Sequence, residues 1–216
     1  MKVPTSTRPS YLYACYFDMV DSSTKKINIY GQIEKLEILN KSIKAALHHT
    51  DKNETRDLTP VYSSYTGDGA MFCFEFGVDV LQFLLNLFHH VSEFNKELIG
   101  ISKIRLRVGI SSGETLEVSQ FEGKKAPWGR DMVIAKRIMD ISAPNQVLVT
   151  KGCMEQLKQY HYTGFKFKHK GKHELKHEPD IDVYSMTFKG HKDSFGNDSQ
   201  PHCNCHWETK KAIKTL

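Results

Sequence analysis

No segment of this chain approaches the roughly 20 consecutive apolar residues that cross a bilayer, which argues against a transmembrane helix, and no membrane partner is expected. The opening residues, MKVPTSTRPS, lack the apolar stretch of a secretory signal, so the expected compartment is the cytosol. Cysteine is scarce and odd in number. Cys15, Cys73, Cys153, Cys203 and Cys205 argue against a disulfide framework and for free thiols. No internal repeat is present, which removes the repeat architectures. Neither sign of charge dominates. Thirty Lys and Arg against 25 Asp and Glu leave +5, which suits an anionic ligand but is too little to argue for nucleic acid.

What is present suffices for one hydrophobic core. Apolar residues make up 39% of the 216 positions and charged residues 25%. The patterned part runs over residues 1–189. Residues 190–216 are polar and unpatterned, and are expected to form a mobile tail. Tyr11 to Phe17 (YLYACYF) reads as a buried strand ending at Asp18, followed by a polar turn. Ile33 to Leu47 carries apolar residues at helical spacing, and Thr50 to Pro60 reads as a charged loop. Val61 to Thr66 and Ala70 to Phe76 flank Gly67-Asp68-Gly69 and predict a hairpin. Val78 to Phe94 predicts a buried helix. Lys103 to Ser111 alternates, with Ile104, Leu106, Val108 and Ile110 on one face and Lys103, Arg105 and Arg107 on the other. A helix over Trp128 to Ile141, a strand over Gln146 to Thr150, a helix over Gly152 to Gln159 and strands within Tyr162 to Phe188 complete the order. Strand, helix, hairpin, helix, strand is the βαββαβ order of a ferredoxin-like α+β fold, here with extra C-terminal strands and a helix.

In such a sheet the first strand and the hairpin are neighbours, so Asp18 and Asp68 converge despite their separation in sequence. Two convergent carboxylates suit hard cations such as magnesium or manganese. A pair of such ions can activate an attacking oxygen and neutralise a leaving phosphate. After Asp18, the segment MVDSST offers backbone N–H groups and the hydroxyls of Ser22, Ser23 and Thr24 before a helix, a plausible phosphate cradle.

Five segments in register resemble the class III nucleotidyl cyclases, the adenylyl and guanylyl cyclase catalytic domains. They are YFDMVDSST, YTGDGAMFCF, RVGISSGE, WGRDMVIAKRIMDISAPNQVLVT and ELKHEPDIDVYSM, spanning about Tyr11 to Met186. The resemblance implies the class III cyclase fold and a homodimer with active sites shared between subunits. It also implies two divalent ions, manganese or magnesium, at Asp18, Met19 and Asp68. Arg137 matches the arginine that balances charge developing on the triphosphate. Lys176 matches the lysine that grips the terminal phosphates, with Lys170 or Lys172 as alternatives in a closing segment shorter than the family pattern. The implied reaction closes a nucleoside triphosphate into a 3′,5′-cyclic nucleotide with release of pyrophosphate.

Three positions depart from the purine cyclases. Ser64 and Ala126 stand where the family reads the purine edge, and Val133 stands where it orients the ribose. Neither Ser64 nor Ala126 supplies charged recognition of a purine. A pyrimidine substrate, UTP or CTP, is therefore favoured, as in bacterial relatives whose cyclic product signals phage infection. Tyr62, Tyr65, Trp128 and Arg130 are candidates to fill the smaller base site. An ATP-using cyclase with unusual base contacts is the alternative, and a domain that binds nucleotide without turnover is another. The hairpin lacks the GG[DE]EF pattern of diguanylate cyclases, and the chain leaves little length for the template and primer sites of a polymerase. His202-Cys203-Asn204-Cys205-His206 is packed too closely for the usual zinc spacing and reads as tail. Lys166 to Lys172 reads as an edge strand kept soluble by lysine, His89 and His90 as structural, and Glu114 as part of a turn after the strand.

Overall fold

The computed structural model describes residues 9–24, 26–48, 50–51, 54–55, 57–121, 123–160, 164–175 and 178–188. Lys176, residues 190–216 and the His202–His206 cluster lie outside them, so the structure does not bear on the expected tail. Ten strands are described: β1 (Ser10–Met19), β2 (Thr50–Asp51), β3 (Glu54–Thr55), β4 (Tyr62–Tyr65), β5 (Gly69–Phe74), β6 (Leu106–Ser119), β7 (Lys125–Trp128), β8 (Gln146–Thr150), β9 (Phe165–Leu175) and β10 (Glu178–Phe188). Four α-helices accompany them: α1 (Ile29–Leu47), α2 (Gly77–Asn95), α3 (Arg130–Asp140) and α4 (Lys151–Gln159). The main sheet has the order β4-β5-β1-β6-β8-β10-β9, with β7 paired on β6. Its first half, β4-β5-β1-β6, is the ferredoxin-like arrangement. β1 lies between β5 and β6, while β4 takes the edge rather than a central place.

Pleating divides β1 between two cores. Tyr13, Cys15, Phe17 and Met19 face α1, α2 and α4, where Leu39, Ile43, Leu81, Phe83, Leu84, Cys153 and Leu157 close the larger cluster. Phe17, Phe72 and Phe83 meet there with ring centroids 5.1–5.8 Å apart. Truncating one such ring to alanine typically costs about 3–5 kcal/mol. Leu12 and Ala14 face the other way and pack with Met71, Cys73, Met132 and Ala135 under α3, with Tyr16 and Tyr62 at the margin. α3 comes close because Gly109 has no side chain. A Cβ there would lie 2.2 Å from the Ala135 carbonyl oxygen and 2.5 Å from the Met139 nitrogen. Cys15, Cys73 and Cys153 are free and buried, as expected.

Several boundaries differ from the sequence expectation. α1 begins at Ile29, where the Asn28 side chain accepts from the Gly31 N–H at 2.9 Å. Its first turn exposes Ile29, Tyr30 and Ile33, so it carries no core-facing period to be read. β6 begins at Leu106 and continues to Ser119, past the expected end at Ser111. Glu114 is thus within a strand, not in a turn. The small residues Ser111, Ser112 and Gly113 obscured the alternation; Asp131 of α3 sits directly over Gly113 and accepts from Ser111 Oγ. β7 was not expected. It includes Pro127, which lacks the N–H of an ordinary ladder residue. Trp128 ends this strand instead of opening α3. Within Thr50 to Pro60, read as a loop, β2 and β3 pair as a short ladder.

Candidate active site

Asp18 is the penultimate residue of β1, opposite Gly69 of β5 and Arg107 of β6. Asp68 sits in the turn between β4 and β5, which the Thr66 N–H closes on the Gly69 carbonyl at 2.9 Å. Gly67 takes a φ of +93°, a conformation glycine adopts without steric cost. The Met19 N–H donates to the Asp68 carbonyl at 3.0 Å, tying the turn to the end of β1. Gly69 makes that approach possible. A Cβ on it would lie 2.3 Å from the Phe17 carbonyl oxygen and 2.9 Å from the Asp18 Cα.

The two carboxylates interact. Burial raises the Asp18 pKa, two hydrogen bonds from Arg107 act against that, and the charge and hydrogen bonding of Asp68 raise it further. The net direction is upward. Arg107 donates from Nε at 3.0 Å and from Nη2 at 2.6 Å, both to Asp18 Oδ2. Ser22 Oγ donates to Asp68 Oδ2. Each carboxylate thus keeps its Oδ1 clear of these donors. Alternation alone puts Arg107 on the polar face of its strand without marking it as a partner of Asp18. The strand register opposite Asp18 was the missing signal.

Alternation along the strands sorts the remaining candidates. Tyr16, Asp18, Tyr62, Ser64 and Arg107 share the face that α3 partly covers. Tyr16, two residues before Asp18, was not singled out. Burial and the neighbouring Cys73 and Tyr62 push its phenol up to about 12. Tyr65 is on the opposite face, edge-on to Phe72 with centroids 6.0 Å apart, beside Ile43 and Lys44 of α1. Adjacent strand residues point to opposite sides, so Ser64 and Tyr65 cannot both line one base site. Trp128 is exposed at the end of β7, and Arg130 opens α3. Ala126 is buried. Val133 and Arg137 lie half-buried one turn apart on α3. Ser23 is exposed in the loop. Thr24 closes the turn toward α1, its carbonyl accepting from the Ile27 N–H at 3.1 Å. The helix cap is Asn28, so the cradle residues stand a few positions ahead of the helix terminus. Lys170 and Lys172 are exposed on β9, the edge strand. His89 and His90 stand on α2 with ring centroids 5.4 Å apart.

A family model, the adenylate and guanylate cyclase catalytic domain, matches residues 14–188. The chain belongs to this family. Both carboxylates, Arg107 and α3 lie within the matched span. No curated protein matches the cyclase domain in sequence. Among solved structures it resembles the adenylyl cyclase CyaB from P. aeruginosa, with TM-score 0.68 and 15% identity over 84% of this chain and 95% of that one. It also resembles the guanylate cyclase domain of RhGC from Catenaria anguillulae, solved with GTP (TM-score 0.63, 13% identity, 84% and 99% coverage). A dimeric guanylyl cyclase domain of the RhoGC fusion protein from Blastocladiella emersonii gives TM-score 0.63 and 12% identity over 84% and 98%. At such identities these likenesses show the fold. Among the described residues of the cyclase domain no helix is long and apolar enough to cross a membrane.

The donor set fits a divalent cation of the hard type. The Asp68 charge raises the proton affinity of Asp18, and a cation beside the two would relieve it. Among the described residues no group of three or more His, Cys, Asp or Glu gathers into a metal cage. Magnesium needs no such cage, since water and substrate phosphates complete its shell. The Met19 side chain is packed in the core, so Met19 could contribute only its carbonyl. Gly69→Ala tests the geometry: displacing the turn from Asp18 is expected to lower turnover about 100-fold, measured as cyclic product per enzyme.

Proposed function

We propose that this domain is a metal-dependent nucleotide cyclase, active as a homodimer, that closes UTP or CTP into its 3′,5′-cyclic monophosphate. The observation that carries the reading is the convergence of Asp18 and Asp68 at the β1 end and the β4–β5 turn. Those residues would hold two manganese or magnesium ions, which supply activation of the ribose 3′ oxygen and charge neutralisation at the phosphates. Arg107 holds Asp18 through Oδ2 and leaves Oδ1 clear of its guanidinium. Ser22, Ser23 and Thr24 border the phosphate path. The 3′ oxygen attacks the α-phosphorus, its proton passes to solvent, the bond to the β-phosphate oxygen breaks, and pyrophosphate departs. Arg137 balances the charge on that leaving group from the partner subunit. Lys176 is proposed to hold the terminal phosphates, again from the partner.

Pyrimidine preference draws its support from the face around Ser64. No charged side chain stands at Ser64 or Ala126, and a buried methyl group at Ala126 offers a purine edge nothing to bond. Tyr16 and Tyr62 stand on the same face, and a smaller base suits a site narrowed by two aromatic rings. Trp128 and Arg130 are proposed to approach the base from the end of β7 and the start of α3. A role in signalling phage infection, in the cytosol, rests on the resemblance to pyrimidine cyclases alone.

The test is direct. The purified chain is incubated with manganese and ATP, GTP, CTP or UTP separately, and products are identified by mass. One cyclic pyrimidine mononucleotide is expected as the dominant product. A cyclic purine product would overturn the base assignment and leave the cyclase. Absence of any cyclic product would overturn the enzyme.

A further inference from the structure

The loop between β1 and α1 contains a non-glycine residue with φ in the left-handed region: Asp21, at +58°. A residue in that conformation persists where its surroundings hold it. Here one residue grips the loop twice. Arg105 Nη2 donates to Asp21 Oδ2 at 2.5 Å, and the Arg105 carbonyl accepts the Val20 N–H at 2.8 Å. Behind the pair stands Lys35 of α1, whose side chain is buried although it carries an ammonium group. Burial lowers the Lys35 pKa, Arg105 lowers it further and Asp21 acts against both. A buried cation is tolerated where an anion accompanies it. Asp21 is therefore the counter-charge of Arg105, which stands just ahead of β6 and draws the loop onto the sheet. The next residue is Ser22, which donates to Asp68.

We propose that Asp21 is a positioning residue: clamped by Arg105, it fixes the backbone of the Ser22–Thr24 loop in the shape that receives the triphosphate. The assignment rests on the cyclase reading above. Asp21 touches no reacting atom. It acts by holding the neighbouring N–H groups and hydroxyls in place before the substrate arrives, so the entropy of ordering the loop is not charged against binding.

A plain surface ion pair makes a different prediction, and the sign separates the two. Asp21 is an anion beside the proposed path of a polyanion. If it acted only through space, Asp21→Asn would remove repulsion and lower KM. Asparagine also tolerates the left-handed conformation, so the substitution removes the charge without adding strain. The positioning role predicts that Asp21→Asn raises KM for the preferred nucleotide about tenfold with kcat within about twofold. Arg105→Gln is expected to do the same, Arg105→Lys to retain most of the wild-type KM, and Asp21→Asn/Arg105→Gln to be no worse than the poorer single variant. An unchanged or lowered KM in Asp21→Asn, or losses that multiply in the double variant, would overturn the proposal. Amide hydrogen exchange of the nucleotide-free chain separates this from failure of the cyclase reading. Exchange at residues 20–24 should quicken at least about fivefold in Asp21→Asn while β1 is unaffected. Unaltered exchange there refutes the clamp whether or not any nucleotide is turned over.

Discussion

Asp68→Asn is expected to lower cyclic nucleotide formation by about 10³-fold or more, without unfolding the chain. The substitution preserves volume and leaves an oxygen to accept the bond from Ser22 Oγ, while removing the charge that would hold a cation. It also acts on Asp18. The folded-state pKa of Asp18 is raised, first by burial and then by the charge of Asp68, with Arg107 opposing. A carboxyl whose pKa is higher folded than unfolded favours the fold at low pH, and that contribution is lost as pH rises through the folded value. Wild-type protein without metal should therefore lose stability as pH rises above the ordinary carboxylate range. Asp68→Asn removes one cause of that loss. Its metal-free melting temperature at neutral pH should equal or exceed the wild-type value. For the same reason the pH below which Asp18 is protonated should fall. Melting scans at pH 4 and pH 7, beside product analysis by mass, read both effects. Retained turnover, or a variant that melts well below wild type, would contradict the assignment of Asp68.

Two inactive variants should together recover activity. Asp18→Asn lacks a carboxylate, and Arg137→Ala lacks the proposed transition-state cation. The charges acting on Asp18 within its own chain are Asp68 and Arg107, and Arg137 stands with Val133 on the half-buried flank of α3. If each site draws Asp18 from one subunit and Arg137 from the other, a mixed dimer holds one intact site and one doubly defective site. Random exchange makes half of the dimers mixed, and half of their sites are intact, so about one quarter of wild-type activity should return. Each variant alone should fall about 10³-fold. The measurement is turnover against mixing ratio at constant total protein, with a maximum expected at equal amounts. Turnover that stays at the level of the single variants at every ratio would place Asp18 and Arg137 in the same chain's site.

The convergence of Asp18 and Asp68 was legible in the sequence because it follows from element order. A strand ending in an acid, followed by a helix and a hairpin tipped by an acid, brings the two together in a ferredoxin-like sheet. Both carboxylates also sit next to unambiguous signals, the apolar run before Asp18 and the glycines around Asp68. Arg107 was not legible as a partner. Its link to Asp18 depends on the register of β1 against β6, which no local pattern encodes. Tyr65 was legible in part. Its neighbour Ser64 occupies the face of Asp18, and the pleat sends Tyr65 to the helices behind. Strand β7 stayed hidden because a proline interrupts its pattern and, among the described residues, it pairs on β6 alone.

The sequence by itself determined the order of elements, the apolar stripes that close the two cores, and the two acids at the strand end and turn. These depend on periodicity and on residues near one another in the chain. Only the tertiary structure decided which cation grips which acid, which face the aromatic side chains join, and how Arg105 holds Asp21. Those relations join residues dozens of positions apart through strand register and helix packing, where a shift of one residue would turn every side chain to the other face.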